Sequence, residues 1–434
     1  MARVMKDSGV EWIGQIPEGW NVKRLKLLLV ERKEINNPIK TNFILSLTNS
    51  RGVIPYSEKG DVGNKSKDDL TGYKLAYPND IVLNSMNVII GSVGLSKYFG
   101  AVSPVYYMLY TRNKKDSISF YNYIFQTQEF QNSLRGYGNG ILEIRMRIQM
   151  SKLNTVLLPT IDSEQQHKIA NYLDIKCCKI DEIIEKEKEV IEKLKAYKQS
   201  LITEVVTKGL NPDVVMKDSG VEWIGEVPNH WLVGRVKDCT IKIGSGKTPK
   251  GGADVYSDEG VLFIRSQNVY STGLKLDEAT YISEEIDTTM KGTRVYFGDV
   301  LLNITGGSIG RSCIYTNKEN HANVNQHVCI IRVNEHCCAR YMNYFWISNV
   351  GKVSIDIYQS GANREGMNFE QIANTTIPVP NIIEQEQISN YLDEKCSKIE
   401  RLIKQKEQVI EKLTEYKKSL IYECVTGKIE VRER

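Results

Sequence analysis

A chain of 434 residues has room for two to four domains, and 41% hydrophobic with 25% charged residues is the ordinary composition of a globular protein. No apolar run reaches the roughly 20 residues of a membrane span, and the opening MARVMKDSGVEWIG has no apolar signal core, so a cytoplasmic protein with no membrane partner is expected. A net charge of +4 does not require a nucleic-acid partner, but permits one if positive charge gathers on one face.

Residues 5–20 read MKDSGVEWIGQIPEGW. The Asp-Ser-Gly and Ile-Pro elements predict a turn-rich arm, and Trp12 and Trp20 are placed to pin it against the domain that follows. From 21 to 160, short apolar runs at 43–47, 81–83, 105–110 and 156–158 alternate with Gly, Asn and Pro. That spacing predicts β-strands joined by loops, with one helix over 119–135.

Residues 161–210 change character. Ile180, Ile183, Ile184, Val190, Ile191, Leu194, Tyr197, Leu201, Ile202 and Val205 recur at three- and four-residue steps among Glu and Lys. This is one apolar stripe on a long helix, and no Pro or Gly interrupts it from 171 to 206. A helix over 174–207 would run roughly 50 Å.

The chain then begins again. Residues 216–231 read MKDSGVEWIGEVPNHW, with ten identical residues in a row at an offset of 211, so Trp223 and Trp231 answer Trp12 and Trp20. Residues 232–380 predict a second β-rich segment, with strands at 261–264, 300–304 and 329–333 and a helix near 339–349. Tyr77-Pro-Asn-Asp-Ile-Val-Leu-Asn84 matches Tyr296-Phe-Gly-Asp-Val-Leu-Leu-Asn303, and Gly91-Ser-Val-Gly94 matches Gly307-Ser-Ile-Gly310. The loops differ: 59–69 and 244–255 have no counterpart in the other half. A shared frame carrying unlike loops is where binding specificity usually resides.

Residues 381–434 repeat the helix. Tyr172 and Tyr391, Cys177 and Cys396, Leu194 and Leu413, and Thr207 and Thr426 all stand 219 positions apart. Two equal helices with matching stripes suit an antiparallel coiled coil within one chain. Ile180, Ile184, Ile191, Leu194 and Leu201 would face Ile399, Ile403, Ile410, Leu413 and Leu420. Each buried side chain contributes roughly 1.5–3 kcal/mol before entropy is counted. The alternatives are a plain core helix, or a coiled coil joining two copies of the protein. The expected fold class is α+β: β-rich domains at 1–160 and 211–380, helical spacers at 161–210 and 381–434, and pseudo-twofold symmetry.

Catalytic and metal motifs are missing. No Pro-Pro occurs, so the Asn/Asp-Pro-Pro-aromatic loop of an amino-methyltransferase is absent, and there is no His-Glu-x-x-His. Gly246-Lys247-Thr248 resembles the end of a phosphate-binding loop, but the first glycine of that motif falls on Ile241. The nine cysteines form no Cys-x-x-Cys pair, which argues for reduced thiols and no zinc site.

The arm MKDSGVEWIG ahead of Trp20 and Trp231, Leu158-Pro and Pro378-Val-Pro leading into Glu-Gln, and Asn-Tyr-Leu-Asp in each spacer all occur twice. Together they resemble the specificity subunits of Type I restriction–modification enzymes, across essentially the whole chain. The resemblance implies two target-recognition domains held by paired spacers that read a bipartite double-stranded DNA target with an unspecified gap. It implies a non-catalytic subunit that binds two modification (methyltransferase) subunits and restriction (motor-nuclease) subunits. S-adenosylmethionine and ATP would sit on those partners, leaving this chain without cofactor or metal.

Basic and amide side chains on glycine-rich loops suit phosphates and base edges. In the first domain the candidates are Lys65, Lys67, Asn84, Asn87, Arg145 and Arg147. In the second they are Lys247, Lys250, Arg265, Asn268, Asn363 and Arg364. Asn84 and Asn303 share a position, which also fits a structural role common to both domains. The modification subunits are expected on the spacers, because polar spacer residues such as Asn171, Asp174, Lys179, Glu192 and Lys193 repeat as well.

Overall fold

The computed structural model describes residues 3–49, 51–60, 66–137, 147–359 and 366–432. The chain divides into two compact units, one formed by residues 1–187 with 408–434 and one by residues 188–407.

In the first unit β1 (Leu29–Arg32), β2 (Ile81–Asn84), β3 (Val93–Leu95) and β4 (Tyr106–Thr111) form an antiparallel sheet in the order β1-β4-β2-β3. In the second, β5 (Thr240–Ser245), β6 (Val300–Asn303), β7 (Ser312–Ile314) and β8 (Val328–Val333) repeat it as β5-β8-β6-β7. The central strands read as unbroken apolar runs because both faces are covered. Successive side chains point to opposite faces. Ile81 and Leu83 enter the core shared with the helices, while Val82 joins Leu45, Leu47, Val53 and Met108 on the other side. Val300 and Leu302 likewise part from Leu301. The second unit adds a mixed four-stranded sheet from Val261–Ile264, Thr280–Ile282, Arg294–Val295 and Ala322–Val324.

The matched octapeptides are the turn into β2 and β6. Asn79 and Gly298 adopt left-handed conformations, with φ of 67° and 87°. The Asp80 and Asp299 carboxylates, each buried, accept the N–H groups of Tyr77 and Tyr296 at 2.9 and 2.7 Å. Each also accepts two guanidinium bonds, but from different strands: Arg32 on edge strand β1, and Arg332 on central strand β8. The cross-strand pairing puts Tyr110 where Arg332 stands. One charge requirement is met from two directions.

The helix expected over 119–135 is broken. It runs Ile118–Gln126 and Gln128–Ser133, parted at Thr127, whose hydroxyl donates to the Ile124 carbonyl at 2.8 Å. Ser348 does the same to Phe345 at 2.6 Å and separates Ala339–Ile347 from a further helix, Asn349–Gln359, that the apolar pattern did not indicate. Such back-bonding hydroxyls compete with the helix ladder.

The long helices span Ser163–Lys208 and Ile382–Val425, each starting about three turns earlier than the stripe suggests. They pair antiparallel within the chain. In the first unit Leu173, Cys177, Ile180 and Ile184 pack with Leu420, Ile421 and Cys424, with half-buried Ile410 and Leu413 against them. In the second unit Leu201 and Val205 pack with Leu392, Cys396 and Ile399, beside half-buried Leu194 and Ile403. Ile191 is buried as well. Asp181 pairs with Lys417 at 2.6 Å in the first unit and Lys198 with Glu400 in the second. These bridges are the same pair under the 219-residue offset, an early residue of one helix meeting a late residue of the other.

The seam is narrower than the stripe. Ile183, Val190, Tyr197, Leu402, Val409 and Tyr416 are all exposed. Steps of four and three, as in Leu173, Cys177, Ile180 and Ile184, select a two-position coiled-coil seam, and the wider apolar band stays outside it.

Each helix ends at a left-handed glycine packed on the second tryptophan of an arm. A Cβ on Gly209 would lie 3.1 Å from Trp231, and one on Gly427 would lie 3.0 Å from Trp20. The arms contain a short hairpin, Met5–Asp7 with Gln15–Pro17 and Met216–Asp218 with Glu226–Pro228, closing the expected turns. Three of the four tryptophans are buried as expected. Trp223 is 37% exposed, because Trp12 packs edge-on against Phe130 at 5.2 Å and the corresponding position, 221 residues on, is Gly351.

Candidate nucleic-acid interface

Each β-rich domain is locked to its spacer by the same three contacts. The Gln166 and Gln385 side-chain oxygens accept the N–H of Ser117 (3.0 Å) and Cys338 (2.8 Å), and their amide nitrogens donate at 2.9 Å to the carbonyls of Ile161 and Pro380. The hydroxyls of Tyr123 and Tyr344 donate to Asp174 (2.6 Å) and Asp393 (2.7 Å). Burial first, and then the adjacent carboxylate, pushes both tyrosines far above the ordinary phenol range. The repetition of Asp174 in the second spacer therefore has its cause inside the unit, not in a partner.

Both halves bring the chain before the spacer to the same strand end. Ile148 N–H donates to the Ser85 carbonyl at 2.9 Å, and Met367 N–H, 219 positions on, donates to Ile304 at 2.9 Å. In the first unit this gathers exposed Arg147 near Asn84 and Asn87 beyond β2. Asn84 is half-buried and accepts the Met86 N–H at 3.0 Å, and Asn87 opens the turn Val88–Ile90. Lys74 belongs to the same neighbourhood. Burial lowers its ammonium pKa, and the charges of Arg147 and Lys33 lower it further against the opposing effect of Glu31. Lys67 is exposed on a loop whose backbone donates to the Tyr73 hydroxyl at 3.1 Å. Lys65, Arg145, Asn363 and Arg364 lie outside the described residues.

In the second unit Lys247 and Lys250 are exposed on the loop after β5, with the Lys247 ammonium 3.2 Å from the Thr289 carbonyl. Arg265 is half-buried, donates to the Glu278 carbonyl at 3.2 Å and lies over the Tyr256 ring at 5.8 Å. Asn268 is buried. Its amide accepts the Arg265 N–H and donates to the Lys275 carbonyl, both at 2.9 Å. Asn303, also buried, donates to the Ser266 carbonyl at 2.7 Å and ties that turn to β6. Both amides hold the loop; neither presents an edge to a ligand.

Two features carried no motif. One is an open groove of about 960 Å³ in the first unit, where Arg51, Lys97, Arg135, Lys417 and Lys418 outnumber Glu58. The matching cleft of the second unit, about 230 Å³, is balanced, with Lys198 and Arg340 facing Asp393 and Glu400. The other is a hydrogen-bonded chain in the second unit. The Thr248 hydroxyl donates to the Gln326 side-chain oxygen at 2.6 Å, the Gln326 nitrogen lies 3.0 Å from His327 Nε2, and His327 Nδ1 lies 2.6 Å from the Thr305 hydroxyl. The corresponding turn of the first unit, between Gly100–Val102 and β4, reads Ser103-Pro104-Val105. That contrast was visible in the sequence, but only once the strands are aligned.

Among the described residues, no cluster of three or more His, Cys, Asp or Glu side chains could hold a metal ion, and no helix is long and apolar enough to cross a membrane.

Residues 228–412 match the family of the Type I restriction modification DNA specificity domain. The chain is 24% identical to the putative type I restriction enzyme MjaX specificity subunit of Methanocaldococcus jannaschii over 97% of this chain and 96% of that one. It is 24% identical to the MjaVIII specificity subunit of the same organism over 82% and 80% of the two chains, and 21% identical to the Escherichia coli EcoBI specificity subunit over 70% and 66%. Its fold matches a chain from a structure described as complex assembly and conformational transition of the type I R-M system, with a TM-score of 0.74 and 13% identity over 95% of this chain and 99% of that one. It also matches the HsdS subunit from Thermoanaerobacter tengcongensis, with a TM-score of 0.53 and 14% identity over 95% and 98%. The domain signature thus lies in the second half of the chain, and a relative named as a type I restriction enzyme specificity subunit aligns with it from end to end.

Proposed function

We propose that this chain is the non-catalytic DNA-reading subunit of a Type I system: each β-rich domain reads one part of an asymmetric, gapped duplex target, and partner subunits act on it. The observation that carries the reading is one frame built twice with unlike loops. The sheets, the buried Asp–Arg turns and the spacer contacts repeat, while the chemistry at the loop ends does not. Reading heads on a common scaffold need such an arrangement.

Two modification subunits and the restriction subunits are the proposed protein partners, in the cytoplasm, and those subunits carry the S-adenosylmethionine and ATP. The exposed apolar rows suit such docking. Ile183, Val409 and Tyr416 lie on the first unit, and their equivalents Leu402, Val190 and Tyr197 on the second, giving two like surfaces for two like partners.

The test is DNA binding by the chain together with its modification subunit, measured by anisotropy on random and on selected duplexes. Selected DNA should bind far more tightly, and affinity should fall steeply with salt. Equal binding to both, or methylation of DNA by the chain alone, would contradict the reading.

A further inference from the structure

We propose that Gln326 reads an adenine edge in the major groove, positioned by Thr248, His327 and Thr305. The proposal rests on the DNA-reading function above and assigns one of its specificity-determining residues.

The argument begins with hydrogen-bond accounting. A glutamine amide has two N–H donors and an oxygen with two lone pairs. Gln326 spends one lone pair on the Thr248 hydroxyl and one N–H on His327. Among the described residues it keeps one donor and one acceptor, and the residue is exposed. Reversing the amide exchanges the two internal partners and still leaves one of each. A free donor beside a free acceptor on one planar group is the pattern that pairs with adenine N7 and N6.

The amide is also held in place. An exposed glutamine ordinarily spreads over many rotamers, and ordering it on binding costs affinity. Here both of its polar ends are tied. His327 is fixed in turn by Thr305 and by its own N–H to the Asn325 side chain at 3.1 Å. The loop that brings Thr248 depends on Gly246, where a Cβ would fall 1.5 Å from the Val324 carbonyl oxygen. Only glycine lets that loop lie on the strand edge, with Gly246 N–H bonded to the Asn325 carbonyl at 3.2 Å. Lys247 and Lys250 on the same loop are exposed, as phosphate contacts beside a base contact must be.

The first unit supplies a built-in comparison. The same turn there is Ser103-Pro104-Val105, with no amide. The device belongs to one reading head only, so its effect must fall on one part of the target.

The experiment selects binding sites from a randomised duplex library with the chain and its modification subunit, and sequences them. Wild type should show an adenine preference at one position that Gln326→Ala weakens on the order of 10- to 100-fold. Gln326→Glu, which accepts but cannot donate, should shift that position toward cytosine. Thr248→Val, which keeps the amide but frees it, should weaken the preference less than Gln326→Ala. Every other position should keep its preference. Folding of each variant is checked by its assembly with the modification subunit. Unchanged preferences, or a uniform loss of affinity at all positions, would overturn the proposal while leaving the DNA-reading function standing. A wild-type complex with no base preference at all would overturn both.

Discussion

One unit is made from an unbroken run of chain, residues 188–407; the other closes only when residues 408–434 return to residues 1–187. The contacts are nevertheless of one kind: a tryptophan on a helix-ending glycine, a glutamine and an aspartate locking the domain to its spacer, and an ion pair across the helix seam. Connectivity is therefore secondary to the frame. It still has a cost. Twenty-three residues separate Lys208 from Trp231, against 405 between Val425 and Trp20. Loop-closure entropy makes the second closure harder by about 2–3 kcal/mol. The first unit ties its returning helix to the arm itself. Tyr422 donates to the carbonyls of Trp12 and Ile13 at 3.1 and 3.2 Å, where the second unit has the shorter Thr203. Trp12 is buried where Trp223 is not.

The comparison can be broken most severely at the C-terminus. Removing residues 420–434 takes Leu420, Ile421, Cys424 and Val425 out of the first core and nothing out of the second. Hydrogen exchange should show the first unit unfolded and the second protected; equal loss in both would refute the division. Next come the arm tryptophans. Trp12→Ala should cost about 3–5 kcal/mol by thermal unfolding and Trp223→Ala much less, since only Trp12 fills a packed site.

The guanidinium exchange sharpens the comparison. Arg32→Gly leaves the Asp80 carboxylate buried and unpaired and should cost about 3 kcal/mol. Adding Tyr110→Arg puts an arginine where the second unit has Arg332, and should restore at least half of the loss. No restoration would mean that the two sheets are not interchangeable at this point.

The smallest effect is on pH dependence and belongs to the second unit. Burial alone would raise the Asp287 carboxyl pKa, but hydrogen bonds from Arg294, Asn323 and His321 outweigh it and hold it below the ordinary value. A depressed folded pKa gives stability that is present above the unfolded value, near 4, and lost as pH falls through the folded one, by at most about 1.4 kcal/mol per pH unit. Asp287→Asn should therefore be destabilised at pH 7, with the difference from wild type narrowing below pH 4. A constant difference would show that this carboxylate does not titrate with folding.

The long helices and the strand frame were legible because periodicity and repetition are local signals. The apolar stripe identified Ile180, Ile191 and Ile399 as buried. It misassigned Val190 and Tyr197, because the width of an apolar band does not say how much of it one partner helix covers. Among the proposed contacts, Lys67, Arg147, Lys247 and Lys250 are exposed on loops, but Asn268 is spent on its own turn. An amide that holds a loop and one that faces a ligand look the same in sequence. Gln326 escaped notice for the converse reason: its partner Thr248, and the Thr305 that fixes its neighbour His327, are far away along the chain, and the close approach at Gly246 is what brings Thr248 to it.

The account rests on two unlike reading heads in one chain, and the methylome of a host expressing this chain with its modification subunit tests that most directly. The predicted result is one asymmetric motif in two specified parts, separated by a gap of fixed length. A single continuous motif, a palindrome with identical halves, or no methylated motif would contradict it.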